Sequence, residues 1–209
     1  MSFITAYCSL TEDVCSVNGT AIIGRDHASA DSWFKQIYKQ QELAYPKFYK
    51  MDMLSQAGFL ASELIKRAIP TLTAAYNDDE IALVFANRSS SAETDQRFIN
   101  SYEHNGAPSP SLFVYTLPNI VLGEIAILNK WYGENMFAVL PKFAPDFYLD
   151  YLQILHAAGS KAILCGWLEV TQTQTEVLLF MVEEKGTGIM ECSKQNLAEL
   201  WHASFPAAK

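Results

Sequence analysis

The sequence predicts an α/β fold, and three observations predict it. Continuous apolar runs of strand length stand at residues 81–86 and 136–140, and residues 162–170 read as a third buried strand. Segments with the period of a helix separate them. The polar link at 171–176 is too short for a helical crossover, so the last two strands are expected to be antiparallel neighbours. A strand that is apolar throughout has both faces covered. Alternation with helices therefore implies a mostly parallel sheet with helices on both sides.

In chain order, residues 3–9 read as a first strand, and Asn18-Gly19 marks a turn. Residues 31–41 are helix-like, and Tyr45-Pro46 ends that pattern, because proline disfavours helical geometry in the residue before it. Leu54, Ala57, Gly58, Ala61, Leu64, Ile65 and Ala68 recur at helical spacing and give residues 54–68 one buried face, with Pro70 just beyond. A strand at 81–86 and a helix at 92–102 follow, then a loop at 104–111 holding Gly106, Pro108 and Pro110. Next come a helix at 119–131, a strand at 136–140, and a helix at 146–158 with Asp146 as its N-cap. The strand at 162–170 precedes one at 177–183, which runs into a turn at Lys185-Gly186-Thr187-Gly188. Residues 197–205 form a short, partly apolar terminal helix. The expected order is β-α-β-α-β-α-β-β over a five-stranded sheet.

A chain of 209 residues fits one domain with a sizeable core. It is 50% hydrophobic and 18% charged, with a net charge of −8. That balance argues against nucleic acid, whose phosphates need a cationic surface. It also argues against an acidic carrier protein as the main direct partner, since like charges slow encounter. Cys8, Cys15, Cys165 and Cys192 follow no zinc-ligand spacing, and no metal or cofactor is expected. The N-terminus has no basic region or long apolar run, and no segment approaches the ~18 uninterrupted apolar residues of a membrane span. A cytoplasmic location is expected.

Five groups of residues between positions 45 and 185 carry a more specific signal. The first is Tyr49-Lys50-Met51-Asp52-Met53-Leu54-Ser55 with Gly58-Phe59-Leu60-Ala61. The second is Ile81-Ala82-Leu83-Val84-Phe85 with Ser89-Ser90-Ser91-Ala92-Glu93-Thr94-Asp95. The third is Pro110-Ser111-Leu112-Phe113-Val114-Tyr115-Thr116-Leu117-Pro118-Asn119 with Gly123-Glu124-Ile125-Ala126-Ile127. The fourth is Gly133-Glu134-Asn135 running to Phe143, and the fifth runs from Gly159 to Glu169. In this order they resemble the β-ketoacyl synthase family. The resemblance implies one half of a thiolase-like fold over residues 1–209, with the second half absent. Counting forward from Gly133, or back from Gly159 and Glu169, places the family's active cysteine at Lys142. The family's two catalytic histidines come from the missing half, and His27, His104, His156 and His202 match none of its motifs.

That substitution removes the chemistry. A decarboxylating condensation needs a thiolate, which a helix N-terminus stabilises, and donors for the developing oxyanion. A lysine forms a Schiff base only when its pKa is depressed, and Pro141 and Pro145 remodel the backbone where the family needs a tight elbow. Lys142 is expected to be a surface or interface residue, and the chain a non-enzyme. Ser89-Ser90-Ser91 lacks the context of a nucleophilic serine. Gly186-Thr187-Gly188 reads as a turn, since no helix follows as in a phosphate loop. Asp78-Asp79-Glu80 and Glu183-Glu184 read as solvated strand edges.

In type II polyketide systems a subunit without the cysteine, the chain length factor, pairs with an active ketosynthase and shapes its acyl tunnel. Short versions belong to aryl polyene and flexirubin-type pigment systems, and this chain resembles them. By that resemblance an active ketosynthase is the partner, and an acyl carrier protein is met through the complex. Phe113, Leu117, Val121 and Phe137 are the tunnel residues. Leu112, Tyr115, Met136, Ala138, Val139 and Leu140 form the partner interface. A broad apolar face left by the missing half, with Trp33, Trp131, Trp167 and Trp201 as candidate contacts, is expected to need a partner. Two alternatives stay open: a free-standing homodimer that binds an acyl chain or carrier, and a residual malonyl-thioester decarboxylase using Asn119 or Ser111 as donors.

Overall fold

The computed structural model describes residues 1–184 and 187–206, without the side chains of residues 104 and 105. Its strands are β1 (Phe3–Leu10), β2 (Val14–Val17), β3 (Thr20–Gly24), β4 (Ile81–Asn87), β5 (Asn135–Val139), β6 (Ala162–Val170), β7 (Thr175–Glu183) and β8 (Met190–Glu191). Its helices are α1 (Trp33–Gln40), α2 (Met53–Ala68), α3 (Leu72–Ala75), α4 (Ala92–Asn105), α5 (Pro110–Val114), α6 (Ile120–Asn129), α7 (Pro145–Ala157) and α8 (Lys194–Ser204). A 3-10 turn spans Pro46–Lys50.

The strands make one sheet in the order β3-β2-β1-β7-β6-β4-β5, with β8 on β1. The α/β class holds, with helices on both faces. The sheet is larger than expected and mixed in direction. β4 is parallel to β5 and to β6, because helical crossovers join these strands. β6 and β7 are antiparallel as expected, closed by a turn in which the Thr171 amide donates to the Gln174 carbonyl at 2.8 Å. β1 is antiparallel to β7, and β2 and β3 extend that side as a hairpin. The Asn18-Gly19 turn was legible, with φ of 50° and 79°. Its two strands were not, because they are short and β3 is mostly exposed.

Apolar continuity in the central strands feeds two cores, since successive side chains point to opposite faces. Ile81, Leu83 and Phe85 of β4 pack with α1, α2 and α6, whereas Ala82, Val84 and Ala86 pack with α7 and α8. β6 and β7 divide in the same way. At the α2–α6 crossing, a Cβ on Gly58 would run into Val121 and lie 2.8 Å from Leu168 Cδ2. Only glycine allows that approach.

Several expectations need correction. On one sheet face the chain's own α7 and α8 pack, through Leu197, Leu200 and Trp201. Trp33, Trp131 and Trp167 are buried core residues. Glu183 is buried, not solvated, and accepts a 2.6 Å hydrogen bond from Tyr76 Oη. α7 begins at Pro145, so Asp146 lies in its first turn and Ala144 holds the cap. Proline suits that first position because its missing N–H has no intrahelical role there. α5 starts inside the expected loop, with Ser109 as its cap. Lys185 and Gly186 of the expected turn lie outside the described residues. The four cysteines are free thiols, and no described helix is long and apolar enough to cross a membrane.

Candidate functional site

Two regions gather the residues singled out by sequence. The first lies where β4, β5 and β6 end, at the carboxyl edge favoured for ligand sites in such sheets. Lys142 sits in the link between β5 and α7, exposed to solvent. It lines a cleft of about 420 Å³ with Arg88, Pro141, Phe143, Pro145, Trp167, Glu176, Ala198, Trp201 and His202. Phe143 stacks on Trp201, with centroids 4.7 Å apart, and Trp167 meets Trp201 edge-on at 6.1 Å. Sequence reasoning missed Arg88, Glu176 and His202 as neighbours of Lys142. They come from distant parts of the chain and carry no shared motif.

The floor beside this cleft is fixed by Glu169, which is fully buried. Its carboxylate accepts from the Arg88 amide at 2.8 Å, from the Ser89 amide at 3.2 Å and from the Ser89 hydroxyl. Asn87 closes the same turn, its Nδ2 donating to the Ser90 carbonyl and its Oδ1 accepting from the Ser90 amide, both at 2.8 Å. The serine triplet is therefore a structural turn. Nearby, buried Asp52 caps α2 through the Ser55 amide and accepts from Thr94 Oγ1 at 2.8 Å. Burial pushes its carboxyl pKa up.

The second region is the open edge of the sheet. Among the described residues β5 pairs only with β4, from Leu83–Asn135 to Asn87–Val139. Phe137 turns toward the α2–α6 core, and Met136, Ala138 and Leu140 turn toward α7 and α8. All four are half-buried, and Val139 is 57% exposed. The α5–α6 segment adds Phe113 at 62% and Leu117 at 58% exposure. The Phe113 ring lies 5.5 Å from that of Phe98.

This segment is tethered from below. Tyr115 Oη donates to Glu124 Oε1 at 3.2 Å, and Lys47 Nζ pairs with Glu124 Oε2 at 2.8 Å. Burial, then the Glu124 carboxylate, raises the Tyr115 pKa, and the bond to Glu124 raises that of Lys47. Ser91 Oγ donates to the Thr116 carbonyl at 2.6 Å.

The expected tunnel residues therefore divide. Phe113 and Leu117 stand on the surface, Phe137 is half-buried, and Val121 fills the α2–α6 crossing. None of the four lines the Lys142 cleft. Of the expected interface residues, Leu112 is half-buried and Tyr115 is buried. Ser111 and Asn119, the alternative oxyanion donors, lie on the exposed α5–α6 surface and do not line the cleft. No group of three or more His, Cys, Asp or Glu among the described residues is placed to hold a metal.

No protein-family model and no curated protein sequence matches the chain. Solved structures do match. A chain of the ketosynthase (ApeO) in complex with its chain length factor (ApeC) from Xenorhabdus doucetiae superposes with TM-score 0.58 at 14% identity, covering 98% of this chain and 92% of that one. The ishigamide ketosynthase/chain length factor gives 0.66 at 17% identity, over 90% of this chain and 63% of that one. A type II polyketide synthase complex, AntDE:AntF, holds an acyl-carrier protein with its ketosynthase bound to the hexaketide. It gives 0.63 at 11% identity, over 95% of this chain and 64% of that one. The chain thus spans less than two thirds of two of these chains and nearly all of the third. Their fold is the fold of this chain.

Proposed function

We propose that the chain is a non-catalytic, chain-length-factor-like subunit that pairs with an active β-ketoacyl-carrier-protein synthase and shapes its acyl tunnel. The observation that carries this is the apolar strand β5 at an open sheet edge. A strand with unpaired N–H and C=O groups is a template for another chain, and Val139 is exposed there. The fold shared with ketosynthase and chain-length-factor complexes supports the class of partner.

In this assignment Met136, Ala138, Val139 and Leu140 meet the partner, with Leu112 beside them and Tyr115 fixing the segment from beneath. Phe113, Leu117 and Phe137 bound the far end of the acyl tunnel, and Val121 supports them from the core. Lys142 does no condensation chemistry, so the partner supplies the cysteine and histidines. The acyl carrier protein docks through the complex. No cofactor takes part, and the pair works in the cytoplasm.

Co-expression with a ketosynthase from the same source tests this. Size exclusion with light scattering should give a one-to-one heterodimer, and condensation should need both chains and the partner's cysteine. A homodimer indifferent to the ketosynthase would overturn the assignment in favour of a free-standing acyl- or carrier-binding protein.

A further inference from the structure

On the far side of the sheet from β5, a cavity of about 280 Å³ lies between β1, β2 and the end of α8. Successive strand residues point to opposite faces. Cys8, Leu10 and Cys15 enter the core with α1 and α2, whereas Tyr7, Ser9 and Ser16 border the cavity on the other face. Ser9 and Ser16 stand opposite each other in the β1–β2 register. Ser204 of α8 adds a fourth hydroxyl from the other wall, beside the buried Leu200.

The protein itself leaves these hydroxyls unused. Thr11, at one end, is engaged, its Oγ1 accepting from the Val14 amide at 3.0 Å. The side-chain hydroxyls of Tyr7, Ser9, Ser16 and Ser204 make no hydrogen bond among the described residues. Ser9 is only 8% exposed, and a buried polar group left unpaired costs about 1–3 kcal/mol. Such a group points to something that completes it. Gly19 gives the Tyr7 hydroxyl its room, since a Cβ there would lie 2.8 Å from Tyr7 Oη. Burial raises the Tyr7 pKa, so that hydroxyl stays a neutral donor.

The lining selects among ligands. No Asp, Glu, Lys, Arg or His among the described residues borders the cavity, so a charged ligand would lose hydration without gaining a counter-ion. A purely apolar ligand would cover the hydroxyls and leave them unpaired. A serine or tyrosine hydroxyl both donates and accepts, and a ligand surface that matches it does the same. The volume falls just below the ~300–1,000 Å³ of sites for larger ligands, which suits a single ring. We infer that this cavity binds a neutral, polyhydroxylated ring of monosaccharide size. Its hydroxyls pair with Ser9, Ser16, Ser204 and Tyr7, and its C–H groups lie against Leu200 and Ala203. The site is remote from the β5 edge and does not depend on the proposed pairing.

Titration of the full chain with the methyl α-glycosides of glucose, mannose and galactose, followed through the backbone amide resonances, tests the inference. At least one glycoside should bind saturably and shift the Ser9 and Ser16 amides. Glucuronate and tetrahydropyran-2-methanol, the charged and the dehydroxylated counterparts, should bind at least tenfold more weakly. Ser9→Ala should weaken the glycoside about fivefold through one lost hydrogen bond. Its thermal midpoint should not fall, because the hydroxyl has no protein partner to lose. Ala203→Trp places a bulky ring at an exposed position of the wall, so it should fold as the parent does and abolish binding. No shift with any of the three glycosides at tens of millimolar would overturn the inference. Equal affinity for either counterpart, or unchanged affinity in Ser9→Ala or Ala203→Trp, would overturn it as well.

Discussion

β4 and β5 lie side by side in one sheet, in parallel register, and both are apolar. β4 is buried at all seven residues, whereas no residue of β5 is fully buried. β4's composition is explained by the chain itself, because helices cover both of its faces. β5's is explained only in part. Its side chains touch the two cores, but its outer edge and Val139 face solvent. Apolar character that the single chain leaves uncovered points to what lies outside it.

The contrast can be broken most forcefully in β4. Phe85→Ala removes a fully buried ring and should cost about 3–5 kcal/mol of stability. Urea unfolding checks this, and a loss near that of a surface substitution would mean that β4 is not the centre of the sheet. Val139→Lys should behave in the opposite way. Its effect on the unfolding of the single chain should stay within about 0.5 kcal/mol, while recovery of the ketosynthase on a tagged copy of this chain should collapse. Retained recovery would separate the β5 edge from partner binding. The subtlest change is Phe113→Ala or Leu117→Ala. Both residues are exposed, so stability should again stay within about 0.5 kcal/mol. The products of the reconstituted pair should grow by one or more two-carbon units, read by mass spectrometry. Unchanged length would remove these residues from the tunnel wall.

What the sequence disclosed follows the range of the forces involved. β4 and β6 were legible because burial on both faces demands mostly apolar runs, and α2 because one buried face imposes a helical period. β2 and β3 were too short and too exposed to leave a pattern. Burial of Glu183 depends on Tyr76, and the cleft depends on α8 bringing Trp201 and His202 beside Lys142. These pairings join residues far apart in the chain, and no local rule encodes them. The surroundings of Lys142 were not readable for the same reason.

The open edge of β5 also bears on how the protein is made. A free strand edge recruits any compatible backbone, including that of an identical chain. Each copy that leaves the ribosome before something occupies that edge is a seed for self-association. Matched rates of synthesis for this chain and whatever covers β5 would therefore govern the yield of usable protein, independently of how stably each copy folds.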